Sequence, residues 1–354
     1  MWAVFETSWL VMLVHSVALR ATECTRRKAE RSRNYARGKS VHASLKSSAG
    51  LEAGTVPSWG HELVRAATEW DRRGMRVQIE PGVRLFVDVD GCSHRPDGDR
   101  LKKYPTLVLL HGGPGHDHSA FKPDLLPLAE DMQVVFVDHR GMGRSDRRDS
   151  SEWNLDQWAD DVIRVCDALG IEKPFVLGAS FGAMVAMRYL ARHPTHAAKV
   201  VLVCGTARVV VEEQLAVLDK RGVRREVREA AEAFWRNPTP ENGAAFLPLS
   251  ESIYAVAAPL PPSRSVSNYD VMFHFMLGEM QTMDLLPGLA GTTTPTLVLG
   301  GIEDPVTPAS GMVAIADAIG PNATLELIAH ASHFVWADRP DCIDLIRNWL
   351  LLPQ

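Results

Sequence analysis

Between Met75 and Ile328, eight short apolar runs recur, and helix-period stretches fill most of the gaps. The runs are Val77–Ile79, Leu85–Val89, Thr106–His111, Val134–Asp138, Phe175–Gly178, Val200–Cys204, Thr296–Gly300 and Thr324–Ile328. The middle runs are almost wholly apolar, as parallel strands buried on both faces must be. Leu155, Trp158, Val162, Val165, Cys166 and Leu169 fall on one helical face behind a cap at Asn154. Met184, Met187 and Leu190 mark a second helix, and Ile343, Ile346, Trp349 and Leu350 mark the last. Such alternation predicts an α/β fold, a doubly wound, mostly parallel eight-stranded sheet with helices on both faces. It lapses between Cys204 and Thr296. Residues 206–290 carry helix-like stretches, Val223–Trp235 and Val271–Met283, on either side of the Pro-rich Pro259–Pro262. They read as a helical insertion into a core made of 75–205 and 291–354. Residues 91–104 are polar and turn-rich, which suggests a hairpin-like loop.

The 354-residue length allows one large domain or two modest ones at roughly 100–200 residues per domain. A net charge of -5 gives no electrostatic footprint for nucleic acid. Five widely spaced cysteines, with no CxxC pair, argue against a disulfide framework or a zinc site and fit a reducing compartment, the cytoplasm. Residues 20–50 differ from the rest, with nine Lys/Arg against two Glu. The apolar run Trp9–Leu19 before them is short of the roughly 20 residues that span a membrane, so no stable span is expected. Its flanking charges are reversed relative to a secretory leader, with Glu6 before it and arginines after. Residues 1–74 therefore read as a poorly ordered extension, with membrane association or organelle targeting as the alternative.

Chemistry concentrates in four places. Gly178-Ala179-Ser180-Phe181-Gly182 follows a strand and opens a helix, the context in which G-x-S-x-G forms a sharp turn that lifts a serine hydroxyl above the sheet. Helix N-terminal amides at such a turn favour developing negative charge. Asp304 follows the strand Thr296–Gly300, and His333 follows Thr324–Ile328, so both sit past the C-terminal ends of strands, where such sheets place ligands. Ser180, His333 and Asp304 are the candidate nucleophile, general base and orienting acid, in the chain order Ser, Asp, His. Glu303 and His330 are the rival acid and base. His111-Gly112-Gly113-Pro114-Gly115 ends another strand and is placed to supply an oxyanion donor. The N–H groups of Gly113 and Phe181 are the candidates. No phosphate-binding glycine pattern accompanies it. His116-Asp117-His118 lacks a third strong metal ligand, so neither metal nor cofactor is expected.

These motifs, with Asp138-His139-Arg140-Gly141-Met142-Gly143-Arg144-Ser145 and Ser332-His333, together resemble the proline iminopeptidase family of α/β-hydrolases across about residues 75–354. The resemblance implies the α/β-hydrolase fold, a serine triad and a helical cap over the site, matching 206–290. It also implies an aminopeptidase that uses cap glutamates to hold a substrate's amino terminus, for which Glu212, Glu213 and Glu279 are candidates. The sequence departs from that family at His139, where Gln is usual, and at Ala179-Ser180-Phe181, where G-S-W is usual. Similar sequences with such variants include esterases, lactonases and amidases. Met272, Met276, Met280 and Met283 would share one helical face. Met276, Glu279, Met280 and Trp336 are the candidate substrate contacts. Arg140 and Asp146 are expected to tie the Asp138–Ser145 loop to the oxyanion loop. The expected partner is a small molecule or short peptide that carries an ester, lactone or amide bond. The contrasting reading is a ligand-binding or scaffold protein that kept the fold without turnover. The oligomeric state is not legible in the sequence.

Overall fold

The computed structural model describes residues 74–256 and 264–353. The expectations for the extension before Gly74 and for the Pro259–Pro262 break lie outside the described residues. All eight expected runs are strands of one sheet: β1 (Met75–Glu80), β2 (Val83–Asp90), β5 (Thr106–Leu110), β6 (Gln133–Val137), β7 (Phe175–Ala179), β8 (Lys199–Val203), β9 (Thr296–Gly301) and β10 (Ala323–Ile328). Two more, β3 (His94–Asp97) and β4 (Arg100–Lys103), pair as a separate exposed hairpin in the polar 91–104 stretch. The large sheet runs β1-β2-β6-β5-β7-β8-β9-β10. β2 is antiparallel to both its neighbours, and every other pairing is parallel.

Successive residues of the central strands face opposite layers, which explains why their runs are apolar throughout. In β7, Val176 joins the core under α1 (Leu155–Leu169) and α2 (Phe181–Arg192), while Leu177 joins the core under α8 (Cys342–Leu351). Helix α1 starts where the sequence places its cap, with the Asn154 side chain accepting the Gln157 N–H at 2.9 Å. It stops at Gly170 in the left-handed conformation. A further helix, α7 (Ala309–Ile319), packs on the α1 side of the sheet.

Between β8 and β9 the chain forms α3 (Val211–Arg221), α4 (Arg225–Arg236), α5 (Pro240–Phe246) and α6 (Tyr269–Leu277), with short helical turns at Glu251–Tyr254, Glu279–Gln281 and Leu286–Leu289. These helices bury a cluster of their own, including Leu215, Leu218, Val227, Phe234, Trp235 and Phe246. The expected continuous helix over Val271–Met283 does not form. α6 ends at Gly278, whose backbone leaves the helical region, and 279–281 is a separate tight turn. The four methionines therefore do not line one face. Met276 packs on the insertion's own cluster, whereas Met280 and Met283 pack against the main core.

Candidate active site

Ser180 sits between β7 and α2 with φ 55° and ψ -118°, a strained conformation for a residue with a side chain. The two flanking glycines explain how the turn closes. A Cβ on Gly178 would lie 2.2 Å from the Gly182 carbonyl oxygen, and one on Gly182 would lie 2.0 Å from that of Leu110. No other residue fits either place. The serine is half-buried, at the head of a helix whose first N–H groups lack intrahelical partners.

The loops after β9 and β10 bring the other two candidates to it. His333 Nε2 lies 2.9 Å from Ser180 Oγ, and His333 Nδ1 lies 2.8 Å from Asp304 Oδ2. Asp304 is fully buried, and its oxygens are held from the other side by the Val306 and Thr307 N–H groups at 2.7 and 3.0 Å and the Thr307 hydroxyl at 2.7 Å. Both oxygens accept hydrogen bonds, so the carboxylate is fixed in place. With Nδ1 turned to the carboxylate, Nε2 is free to accept the serine proton. Glu303 points elsewhere, 3.7 Å from the exposed His330. The rival pair is thus apart from Ser180.

Gly112 lies against the serine, since a Cβ there would be 3.2 Å from Ser180 Cβ and 3.1 Å from the tip of the Phe121 ring. The Gly113 backbone follows at φ 139°. Behind this loop, His111 accepts the His139 N–H through Nε2 at 3.2 Å, and the two rings are 4.4 Å apart. Burial holds both imidazoles below their usual pKa, so the pair is neutral. Arg140 and Asp146 do not reach the oxyanion loop. Arg140 pairs with Asp161, Glu80 and Glu152, and Asp146 with Arg76 and the Arg84 N–H. The two loops are tied instead by the His139 N–H on His111 and the Gly115 N–H on the Met142 sulfur at 3.2 Å, and Arg144 pairs with Asp117 just beyond them at 2.9 Å. In the H-x-H stretch, His118 hydrogen-bonds Asp138 at 2.6 Å and His116 meets Ser267 at 2.9 Å.

The alpha/beta hydrolase fold family matches residues 105–340, a span that includes Ser180, Asp304 and His333. The chain belongs to the α/β-hydrolase fold family. Among its curated relatives, one named as a RutD carbamate hydrolase of Caulobacter sp. (strain K31) is 27% identical over 264 residues, 72% of this chain and 94% of the relative. The proline iminopeptidase of Heyndrickxia coagulans is 25% identical over 276 residues, 72% of this chain and 94% of the relative. The crystal structure of the Mycobacterium smegmatis proline iminopeptidase superposes with a TM-score of 0.62 at 21% identity, covering 78% of this chain and 97% of that one. The expected α/β-hydrolase membership is therefore established, with proline iminopeptidases among the chain's relatives.

In this hydrolase the remaining expected contacts have other partners. The Glu279 carboxylate accepts the Leu155 N–H at 2.9 Å and faces Arg188 at 3.9 Å. Glu212 pairs with Arg236, and Glu213 accepts from Ser310 at 2.5 Å. Trp336 is buried and stacks edge-on against Phe121 at 5.3 Å, the same ring that touches Gly112. Sequence reasoning missed three neighbours. Tyr254 packs its ring against His333 at 5.3 Å, and burial, aided by Asp304, pushes its hydroxyl up to about 12. Cys204, at φ 46°, places its thiol with Asp304 and His333, all within 4.8 Å, and burial together with Asp304 keeps it protonated. Arg221 reaches the Glu303 carbonyl and the Ser332 hydroxyl. Among the described residues, no helix is long and apolar enough to cross a membrane.

Proposed function

We propose that this chain is a serine hydrolase that cleaves an ester, lactone or amide bond through an acyl-Ser180 intermediate, without a cofactor. The observation that carries the reading is the continuous line from Ser180 Oγ through the His333 ring to Asp304, at 2.9 and 2.8 Å. His333 takes the Ser180 proton as Oγ attacks the substrate carbonyl, then gives it to the departing alcohol or amine. Water, activated by the same imidazole, releases the acyl group. The Gly113 and Phe181 N–H groups hold the oxyanion, each worth about 2.7–4 kcal/mol in the transition state. Residues 206–290 act as a cap that sets the substrate.

Within that class, ester or lactone cleavage is favoured over aminopeptidase action. A buried substrate ammonium needs a free carboxylate, and Glu279, Glu212 and Glu213 are each engaged by the protein's own donors. The curated relatives include both a named carbamate hydrolase and an iminopeptidase, so family membership alone leaves the leaving group open.

The test is reaction with a fluorophosphonate, which labels an activated serine quickly. Rapid labelling that disappears in Ser180→Ala supports the reading. A parent protein that does not label supports the contrasting one, a binding or scaffold protein on this fold. A panel of p-nitrophenyl esters, lactones and aminoacyl-nitroanilides then ranks the substrates.

A further inference from the structure

Arg221 is the last residue of α3, before Gly222 in the left-handed conformation. An arginine there ordinarily sits in water, facing the carbonyl end of its own helix. This one turns inward. Nη1 donates to the carbonyls of Ile253 and Glu303 at 2.8 and 3.1 Å and to the Ser332 hydroxyl at 3.0 Å. Nη2 donates to the carbonyls of Ser252 and Ala255 at 3.3 and 3.4 Å. Glu303 precedes Asp304 and Ser332 precedes His333. One guanidinium therefore joins both catalytic loops to residues 252–255 of the insertion.

We infer that Arg221 is the positioning residue that holds the Asp304 and His333 loops in register with each other and with the insertion. The inference rests on the serine-hydrolase reading. The neighbouring contacts make Arg221 the hub of a larger joint. Ser332 Oγ donates onward to the Ile253 carbonyl at 2.7 Å, and the Phe334 N–H donates to the Tyr254 carbonyl at 2.8 Å. Asp338 clasps the same joint, accepting the Ser332 N–H and the Val256 N–H at 2.8 Å each. Those contacts hold Tyr254 over the His333 ring.

The fork geometry matters. Five acceptors lie on three separate segments, and a planar guanidinium meets them together where a single ammonium point does not. The charge matters too. All five acceptors are carbonyls or a hydroxyl, while the nearby carboxylates of Glu303, Asp304 and Asp338 support the cation against the cost of burial. The groups around His333 are Ser180, Asp304, Thr307, Cys204 and Tyr254, with Glu303, Asp338 and Arg221 beyond them.

The experiment measures fluorophosphonate labelling of the full chain and its variants at pH 8 over a range of probe concentrations, which separates the maximal rate from the half-saturating concentration, with thermal melting as the check on folding. In Arg221→Gln, labelling at pH 8 should fall on the order of a hundredfold, the effect of about 1 Å of misplacement. The half-saturating probe concentration should stay near the parent's, because alignment of the triad is lost and probe binding is not. Arg221→Lys keeps the charge without the fork and should slow labelling too, but less than Arg221→Gln does. Rates within about twofold of the parent in Arg221→Gln would overturn the inference, and so would a loss carried by the half-saturating concentration with the maximal rate unchanged. If Arg221→Gln does not fold, Ser332→Ala decides: slower labelling supports the joint, and parental rates overturn it. A parent that does not label at all sinks the serine reading first, and this inference with it.

Discussion

The Glu279 carboxylate caps the helix that begins at Leu155, accepting the Leu155 N–H at 2.9 Å across 124 residues of sequence. A carboxylate at a helix N-terminus is stabilising there. Glu279→Gln keeps an acceptor oxygen but loses the charge, so it should lower stability by about 0.3–1 kcal/mol. It should leave substrate preference unchanged. The check is kcat/KM for matched free-amine and N-acetylated substrates in parent and variant. A free-amine preference above roughly a hundredfold, about 2.7 kcal/mol, that Glu279→Gln removes would restore the aminopeptidase reading.

Ser180→Ala should abolish turnover and labelling. Its hydroxyl has one described side-chain partner, His333, and it stands half-exposed above the sheet. Melting should change little, because no packed side chain is lost. Turnover within a few-fold of the parent would exclude Ser180 as nucleophile.

Asp304→Asn should lower kcat by about 10⁴, the cost of a wrongly held imidazole in a serine triad. The amide keeps one oxygen for the Val306 and Thr307 N–H groups and presents an NH2 where His333 Nδ1 and the Thr307 hydroxyl need an acceptor. Glu303→Gln should stay within a few-fold of the parent, because that side chain faces His330. Steady-state kinetics on both variants separate the two carboxylates, and a larger loss in Glu303→Gln would reverse their assignment.

Stability should decline in mild alkali because of His118. Burial works against its charge, but the hydrogen bond to Asp138 and the Asp88 carboxylate 3.8 Å away outweigh burial and raise it to about 9. A folded value above the unfolded one stabilises the protein fully below about pH 6.5, and that contribution is lost as pH rises through about 9. The contribution is on the order of 3 kcal/mol at most. Thermal melts from pH 6.5 to 10 should show the decline in the parent and a flatter profile in His118→Gln. Equal slopes in the two proteins would refute the assignment.

The sheet was legible because buried parallel strands leave a simple mark: Val200–Cys204 and Thr296–Gly300 have no solvent side and so no polar alternation. Ser180 was legible because its turn requires glycines at both ends, and Asp304 and His333 because each follows a strand. Arg221 left no such mark. At the end of a polar helix before a glycine it looks like any solvated arginine, and its role exists only once residues 252–255 fold against Ser332. Tyr254 and Cys204 were equally silent, since their position beside His333 is set by contacts between distant segments. The methionine stripe misled because helical spacing was read straight through Gly278, where the backbone turns away.

The parallel pairing of β8 with β9 joins Val200 to Thr296 and Val203 to Leu299 directly. Everything from Cys204 to Pro295 thus leaves and re-enters between two neighbouring strands, without interrupting a single rung of the ladder. The entry and exit points are fixed by the sheet and not by the helices between them. A different excursion, longer or shorter, could be spliced at the same seam and inherit the Ser180 turn already in place. Chains sharing this scaffold can then diverge in what they admit while the sheet beneath stays the same, and in this chain the proposed joint at Arg221 is where the excursion is fastened.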